Sequence, residues 1–210
     1  MNLILLGAPG AGKGTQAELL TEELGLPSIS TGNMLREAMR NGTEIGQKVK
    51  YYMDNGLLVP DDVVIGLVRD RVSQPDCRQG FILDGVPRTL TQARRLEDMG
   101  VRIDHVISLE IEDSVIVSRM AGRRVCEQCG ASYHVVANPP KTEGTCDLCH
   151  GRLVIREDDT AETVLRRLKV YHQATEALKD FYEKLGKLRR VMGNAPIGEV
   201  CKAILGAIGA

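Results

Sequence analysis

Short, continuously apolar runs alternate along the chain with stretches in which apolar residues recur every three or four positions. Continuous runs are typical of strands buried on both faces of a sheet, and the wider spacing is typical of helices with one apolar face. Their alternation predicts an α/β fold with a doubly wound parallel sheet of five strands flanked by helices. The predicted strands are Leu3–Leu6, Pro27–Ser30, Phe81–Asp84, His105–Glu110 and Leu188–Met192.

Two helices carry recognisable start signals. The sequence Pro60-Asp-Asp is a start signal, and apolar residues follow it at helical spacing. Asp159 with Glu162 three residues later forms a capping-box pattern, so a helix is predicted to begin just after Asp159. Because apolar residues then recur at helical spacing from Val164 to Leu185, we predict one long amphipathic helix there.

One segment interrupts this alternation. Between about residues 122 and 159 the helical period disappears, and glycines, prolines and four cysteines are concentrated there. A structureless stretch of this length is uncommon in a compact domain unless it is an active-site lid or a separately stapled subdomain. We therefore interpret residues 122–159 as an insertion.

The insertion contains two C-x-x-C motifs separated by 16 residues. This spacing is typical of a zinc site, and four thiolates complete a tetrahedral shell, so the metal would be structural. Two disulfides are the alternative, which a reducing cytosol disfavours, and iron or cobalt could occupy the same thiolates. We expect Cys77 and Cys201 to be buried small hydrophobic residues. The predicted ligands are Cys126, Cys129, Cys146 and Cys149.

Composition narrows the classes of partner. The 27 basic and 28 acidic side chains give a net charge of −1, and aromatic residues make up 3% of the chain. These values argue against a general nucleic-acid binder and against a base-stacking surface. The apolar run Leu3–Leu6 is too short for a signal peptide or a membrane span, so we expect a cytoplasmic protein without membrane contact.

A glycine-rich run, GAPGAGKGT from Gly7 to Thr15, lies between the first predicted strand and a helix predicted from Gln16 to Leu24. Glycines let backbone N–H groups fold around an anion, and the N-terminus of the helix adds a positive dipole end. The run departs from G-x-x-x-x-G-K-S/T because Gly14 follows Lys13 and the hydroxyl comes at Thr15. We predict a P-loop in which Lys13 reaches the phosphates of a nucleotide, and in which Asp84, at the end of another strand, holds Mg²⁺ or its waters.

Further motifs extend beyond a generic P-loop. The P-loop itself, the run STGNMLR from Ser30 and the run DGVPRT from Asp84 closely resemble the three signatures of adenylate kinases. This resemblance covers essentially the whole chain. Within the family, the chain resembles the long-lid bacterial type with a zinc-binding lid. The resemblance continues at Arg119, Gly122–Arg124, Tyr133–His134, Asn138–Pro140, Arg156–Asp159 and Arg166–Arg167.

This resemblance implies a site residue by residue. It implies that ATP is bound by Gly10, Ala11, Gly12, Lys13, Gly14, Thr15, Arg119, Arg123, Ser132, Tyr133 and Ala195. It implies that AMP is bound by Thr31, Arg36, Leu57, Leu58, Val59, Gly85, Val86, Pro87, Arg88, Gln92, Arg156 and Arg167. The implied catalytic residues are Lys13, Asp84, Arg88, Arg123, Arg156 and Arg167.

Two positions depart from the family pattern. Asn33 stands where the family usually has Asp, which puts a second carboxylate near Mg²⁺ in doubt. Val86 stands where the family usually has Phe, which changes the packing beside the loop for the AMP phosphate.

The resemblance implies a monomeric kinase that catalyses ATP + AMP ⇌ 2 ADP with Mg²⁺. It implies a core of residues 1–29, 60–121 and 160–210, an AMP-binding segment of residues 30–59 and a zinc-binding lid of residues 122–159. One alternative is a kinase for another nucleoside monophosphate, such as UMP or CMP. Another is an ATP-dependent zinc-ribbon protein that binds nucleic acid, against which the charge and the few aromatic residues count.

Overall fold

The computed structural model describes the whole chain, residues 1–210, and contains two sheets. The strands are β1 Asn2–Gly7, β2 Ser28–Ser30, β3 Phe81–Asp84, β4 His105–Glu110, β5 Arg123–Cys126, β6 Ser132–His134, β7 Leu153–Val154 and β8 Leu188–Met192. Five strands pair in parallel in the order β2-β3-β1-β4-β8, which confirms the predicted doubly wound sheet. The remaining three form an antiparallel sheet in the order β6-β5-β7.

Helices cover both faces of the five-stranded sheet. Successive side chains of β1 point to opposite faces, so Leu3 and Leu5 join one hydrophobic cluster and Ile4 and Leu6 join another. Burial of both faces explains why this strand is apolar at every position from Leu3 to Leu6. The helices are α1 Lys13–Leu24, α2 Thr31–Arg40, α3 Glu44–Asp54, α4 Asp61–Val72, α5 Leu90–Asp98, α6 Asp113–Gly122, α7 Ala161–Val170, α8 Ala177–Lys184 and α9 Ile197–Ile208.

The start of α7 differs from the sequence prediction. Thr160 is the N-cap, and its hydroxyl accepts the N–H of Thr163 at 3.3 Å. Asp159 does not cap the helix, because its carboxylate accepts the Nε–H of Arg123 at 2.7 Å. A helix cap and an ion pair compete for the same carboxylate, and in this fold the carboxylate pairs with Arg123.

The predicted single helix from Val164 to Leu185 was also wrong in one respect. A π-helical turn, Tyr171–Thr175, separates α7 from α8, and the N–H of Glu176 bonds to the carbonyl of Tyr171 at 3.1 Å. The helical rod is therefore continuous but contains one wide turn. Apolar spacing does not distinguish a π-helical turn from an α-helical one, since residues on both sides of the turn still bury one face of the helix.

The insertion folds around its own small core. The antiparallel sheet of β5, β6 and β7 carries a cluster of buried residues that includes Cys126, Tyr133, Cys146 and Leu153. This cluster is far smaller than those beside the main sheet. Among the helices, none combines the length and the apolar character needed to cross a bilayer.

Candidate functional site

The loop between β1 and α1 has the backbone of a phosphate-binding turn. Gly12 is the N-cap of α1 at φ +95°, a conformation that L side chains rarely adopt. A Cβ on Gly10 would lie 2.8 Å from Sδ of Met120, so the loop has no room for a side chain there. No side chain caps α1. Its first N–H groups are therefore available to an anion, as the predicted P-loop requires.

Lys13 folds back onto this loop. Its ammonium donates to the carbonyl oxygens of Gly7 at 2.7 Å and Ala8 at 2.9 Å. Burial lowers the pKa of Lys13 to about 8, helped by nearby arginines and opposed by Asp84. A phosphate that entered the loop would restore the favourable environment of the ammonium charge.

A cavity of about 450 Å³ lies over the loop and is strongly cationic. Seven basic side chains line it against two carboxylates, Glu18 and Asp84, although the whole chain has a net charge of −1. Ser132 and Tyr133 of β6 and Ala195 of the loop after β8 complete its wall. The basic residues are Lys13, Arg36, Arg88, Arg119, Arg123, Arg156 and Arg167.

Asp84 reaches the P-loop because β3 pairs in parallel with β1, with Leu5 opposite Asp84. The carboxyl ends of parallel strands meet at one edge of the sheet, where ligands bind in this architecture. Ser30 donates its hydroxyl to Asp84 at 3.4 Å. Thr31 donates its hydroxyl to the carbonyl of Gly85 at 3.1 Å.

A second cavity of about 90 Å³ adjoins the first. Leu57, Leu58, Gly85 and Pro87 line it, and the Val86–Pro87 peptide bond is cis. Four basic residues line both cavities, so they mark the junction between two compartments. These are Lys13, Arg36, Arg88 and Arg167.

Arg88 is held through both its side chain and its backbone. Its Nε–H donates to the carbonyl of Gly85 at 2.8 Å, and its backbone N–H donates to Oε1 of Gln92 at 2.7 Å. Burial and the neighbouring Arg167 lower the pKa of Arg88. The guanidinium has no carboxylate partner within ion-pair distance, so its terminal N–H groups remain available to a phosphate.

The other arginines fall into paired and unpaired groups. The guanidinium of Arg123 pairs with Asp159, whose side chain is fully buried, and Arg167 pairs with Asp158 at 2.9 Å. Arg156 has no such partner, and its buried Nε–H makes no hydrogen bond. Burial, with Arg36 and Arg123 nearby, lowers the pKa of Arg156 to about 9. Burial likewise lowers the pKa of Arg36 to about 10.

Four of the predicted AMP-binding residues lie behind the cavity walls. Thr31, Val59, Val86 and Gln92 are all at most 6% exposed, and none lines either cavity. Val86 packs in the hydrophobic core, where a larger Phe would need more space. Direct contacts from these four side chains stay predictions.

Sequence reasoning missed the acidic residues that orient the arginines. Asp158 and Asp159 appeared only as part of a motif or as a helix cap, yet each holds a guanidinium. Burial opposes ionisation of Asp158, but Arg167, Arg36 and other guanidiniums outweigh it and lower its pKa. The available signal was the run Arg156-Glu-Asp-Asp159, followed by Arg166 and Arg167, which places acidic and basic side chains close together in the sequence.

The four predicted metal ligands converge in the insertion. The Sγ atoms of Cys126, Cys129, Cys146 and Cys149 all lie within 4.8 Å of one another. Cys126 and Cys149 are separated by 3.4 Å between their Sγ atoms, and Cys129 and Cys146 by 3.6 Å. Thiolates about 2.3 Å from a shared tetrahedral ion would lie about 3.8 Å apart, so the four sulfurs fit a metal.

The other two cysteines are separate from this group. Cys77 is 5% exposed and Cys201 is 6% exposed, and both pack in the hydrophobic core as expected. All six cysteines are free thiols, so the cluster contains no disulfide.

Comparison with known proteins extends these observations over the whole chain. The family model described as adenylate kinase matches residues 5–187. An adenylate kinase of Caldicellulosiruptor saccharolyticus is 54% identical, covering 100% of this chain and 99% of the relative. An adenylate kinase of Acetivibrio thermocellus is 50% identical, covering 99% of this chain and 98% of the relative. One of Clostridioides difficile is 49% identical, covering 100% and 99%.

The matched region contains the P-loop, the junction of the two cavities and the four-cysteine cluster. The identities are close to one half over full-length chains, so the likeness is not confined to the phosphate-binding loop. Fold, charged cavity and full-length similarity agree, and the chain belongs to the adenylate kinase family.

Proposed function

We propose that this protein transfers a phosphoryl group reversibly from MgATP to AMP, giving two ADP. The observation that carries the proposal is the junction of the two cavities, where Lys13, Arg36, Arg88 and Arg167 face both compartments. A cationic junction of this kind suits two nucleotides whose phosphates must approach each other. Guanidinium groups remain charged and bind phosphate in a bidentate manner, so they offset the repulsion between the two polyanions.

The proposed mechanism depends on positioning and electrostatics. The attacking oxygen of AMP is already ionised at neutral pH, so no general base is required. Lys13 would neutralise the β- and γ-phosphates above the P-loop, while Arg88, Arg123, Arg156 and Arg167 surround the transferring group. In a site from which water is excluded, such stabilisation is usually the largest contribution to catalysis.

Mg²⁺ fits at the carboxyl edge of the sheet. The hydroxyl of Thr15 and the carboxylate of Asp84 line the same cavity and are oxygen donors of the kind that Mg²⁺ prefers. The ion would neutralise charge on the phosphate oxygens during transfer. Asn33, also on the cavity wall, offers a neutral amide where the family usually has a carboxylate.

We propose that residues 30–59 and 122–159 close over the nucleotides and exclude water. Support comes from the cavity wall, which combines Asn33 and Arg36 from the first segment with Gly130 and Tyr133 from the second. Closure of this kind prevents loss of the phosphoryl group to water. The core, residues 1–29, 60–121 and 160–210, would stay fixed and hold the P-loop.

We propose zinc as the metal of the insertion, in a purely structural role. Four thiolates leave no open coordination position, and the residues around them form too small a core to be stable alone. A thiolate site of this kind suits a reducing compartment, so we propose that the protein is cytoplasmic. We also propose that it is a monomer. Metal analysis and size-exclusion chromatography with light scattering would test the metal and the oligomeric state.

An acceptor panel tests the proposed activity. Purified protein with MgATP would be assayed against AMP, UMP, CMP and GMP through coupled detection of ADP. We expect AMP to give the highest kcat/KM, by at least about 100-fold, a difference of about 2.7 kcal/mol in transition-state binding. A preference for UMP or CMP would establish another nucleoside monophosphate kinase. Salt-dependent binding to DNA or RNA without kinase activity would favour the nucleic-acid alternative.

A further inference from the structure

The π-turn between α7 and α8 approaches the backbone of Arg88. The hydroxyl of Thr175, the last residue of the turn, donates to the carbonyl oxygen of Arg88 at 2.9 Å. The two residues are 87 positions apart in the chain, and Thr175 is only 6% exposed. Tyr171 and Thr175 both line the smaller cavity, so the turn forms part of its wall.

The hydroxyl of Thr175 forms its hydrogen bond outside its own helix. A threonine inside a regular helix commonly bonds back to the carbonyl four residues earlier. For Thr175 that carbonyl belongs to Tyr171, and it accepts the N–H of Glu176 instead. Turns of the π type occur frequently at functional sites.

The backbone of Arg88 is thereby held from two sides. Its N–H is bound by Gln92, whose amide in turn donates to Asp61 at 2.7 Å, and its carbonyl is bound by Thr175. The guanidinium uses Nε for the carbonyl of Gly85 and has no ion-pair partner. The direction of the terminal N–H groups is therefore set by the two backbone bonds together with the Nε bond to Gly85.

We propose that Thr175 is a positioning residue, whose hydroxyl fixes the backbone of Arg88 so that the guanidinium meets the phosphoryl group. This rests on the proposed function, in which Arg88 contacts the phosphates. A displacement of about 1 Å at such a group can reduce turnover by about 100-fold. Loss of the hydroxyl should therefore reduce catalysis without removing any atom that touches a nucleotide phosphate.

The test is Thr175→Val, which keeps the shape of the side chain and removes the hydroxyl. We expect kcat to fall by about tenfold or more, while KM for ATP stays within about twofold of the wild-type value. Thr175→Ser, which keeps the hydroxyl, should stay within about threefold of wild type. Thr163→Val is the matched control, because Thr163 is a similarly buried threonine on α7 whose hydroxyl bonds only within its own helix start.

A double-mutant cycle shows whether Thr175 acts through Arg88. In an Arg88→Lys background, Thr175→Val should reduce kcat by less than about threefold, because the geometry it maintains is already lost. Equal fold-reductions in the two backgrounds would overturn the inference. If Thr175→Val does not fold, Thr175→Ala and Thr175→Ser are compared, since both lack the methyl group and differ only in the hydroxyl. Equal kcat for that pair would also overturn it.

Failure of this inference is distinguishable from failure of the proposed function. A wild-type protein that does not phosphorylate AMP would contradict the proposed function. A wild-type protein that phosphorylates AMP, with Thr175→Val equally active, would contradict only the role of Thr175.

Discussion

Lys13 illustrates how burial prepares a single side chain for a ligand. Its ammonium rests on two loop carbonyls, and burial lowers its pKa to about 8 despite the nearby carboxylate of Asp84. The charge is thus present at neutral pH but only moderately stabilised. A bound polyphosphate would supply the missing stabilisation, so nucleotide binding and protonation of Lys13 are coupled.

This coupling predicts a pH dependence. In the proposed function the charged form of Lys13 binds ATP, and this form is lost as the pH rises through about 8 in the free protein. Since kcat/KM reports the free enzyme, kcat/KM for ATP should fall about tenfold per pH unit above that value. Initial rates at subsaturating ATP between about pH 7 and 10 would measure it.

Lys13→Arg provides the control, because a guanidinium keeps its charge to a higher pH than an ammonium does. Its kcat/KM for ATP, though lower, should lack the decline near pH 8. A wild-type profile that remains flat to about pH 9.5 would contradict the role assigned to Lys13.

Arg88 is the second residue whose role can be tested alone. Arg88→Ala should lower kcat by about 100- to 1,000-fold, because a charge facing the transferring group is removed from a closed site. The fold should persist, since the guanidinium makes no ion pair and its backbone contacts remain. Steady-state kinetics with circular dichroism would show both. Arg190→Ala, which breaks only a surface pair with Glu183, should keep near-normal turnover.

The insertion shows how a small element becomes stable. Its sheet of three short strands has a cluster of five buried residues, two of which are cysteines of the metal cluster. A unit of this size cannot bury enough apolar surface to remain folded by itself, so in our proposal a metal substitutes for a core.

Loss of the metal should therefore affect stability more than chemistry. In Cys129→Ser, bound zinc should fall well below one equivalent and Tm should drop by about 5–10 °C. Turnover at moderate temperature should stay within about threefold, because no thiolate lines the cavity. Metal analysis, calorimetry and kinetics on one sample would measure these quantities. The control is Cys201→Ala, which lies outside the cluster and should keep its metal. Loss of activity in a Cys129→Ser protein that is still folded would disprove a structural role for the metal.

The elements were predicted with unequal success, for physical reasons. Strands such as Phe81–Asp84 and His105–Glu110 were correct to the residue, because continuous burial imposes an unbroken apolar run. The start of α7 was misassigned because Asp159 can serve either as a cap or as a partner for Arg123. The π-turn at Tyr171–Thr175 leaves the apolar spacing unchanged, so no local pattern distinguishes it from an α-helix.

At the scale of the whole molecule, charge is distributed very unevenly. The chain carries a net charge of −1, yet the main cavity presents seven basic side chains and two carboxylates. Like charges held together in a partly buried site destabilise the substrate-free fold. The substrate-free protein is therefore less stable than it would be without this cluster of basic side chains, and binding of two polyanions would neutralise the cluster.

This trade-off predicts a variant that is more stable and less active. Arg156→Gln removes a partly buried guanidinium without an ion-pair partner and should raise the free energy of unfolding by about 1 kcal/mol. The same change should lower kcat by about 100-fold, since one charge near the phosphoryl group is lost. Denaturant unfolding and kinetics would measure both. The control is Arg152→Gln, at an exposed position in the same insertion, which should change neither the free energy of unfolding nor kcat. An Arg156→Gln protein that is less stable than wild type would contradict the prediction.

The sequence by itself determined the alternating architecture, the glycine-rich loop after the first strand and the cluster of four cysteines. Each of these follows from local patterns: continuous burial, glycine spacing and paired cysteines within a few residues. Tertiary structure alone decided which arginines are paired, which predicted residues lie behind the cavity wall, and how Thr175 meets Arg88. These depend on contacts between residues distant in the chain, whose geometry is set only when the sheet and helices pack together.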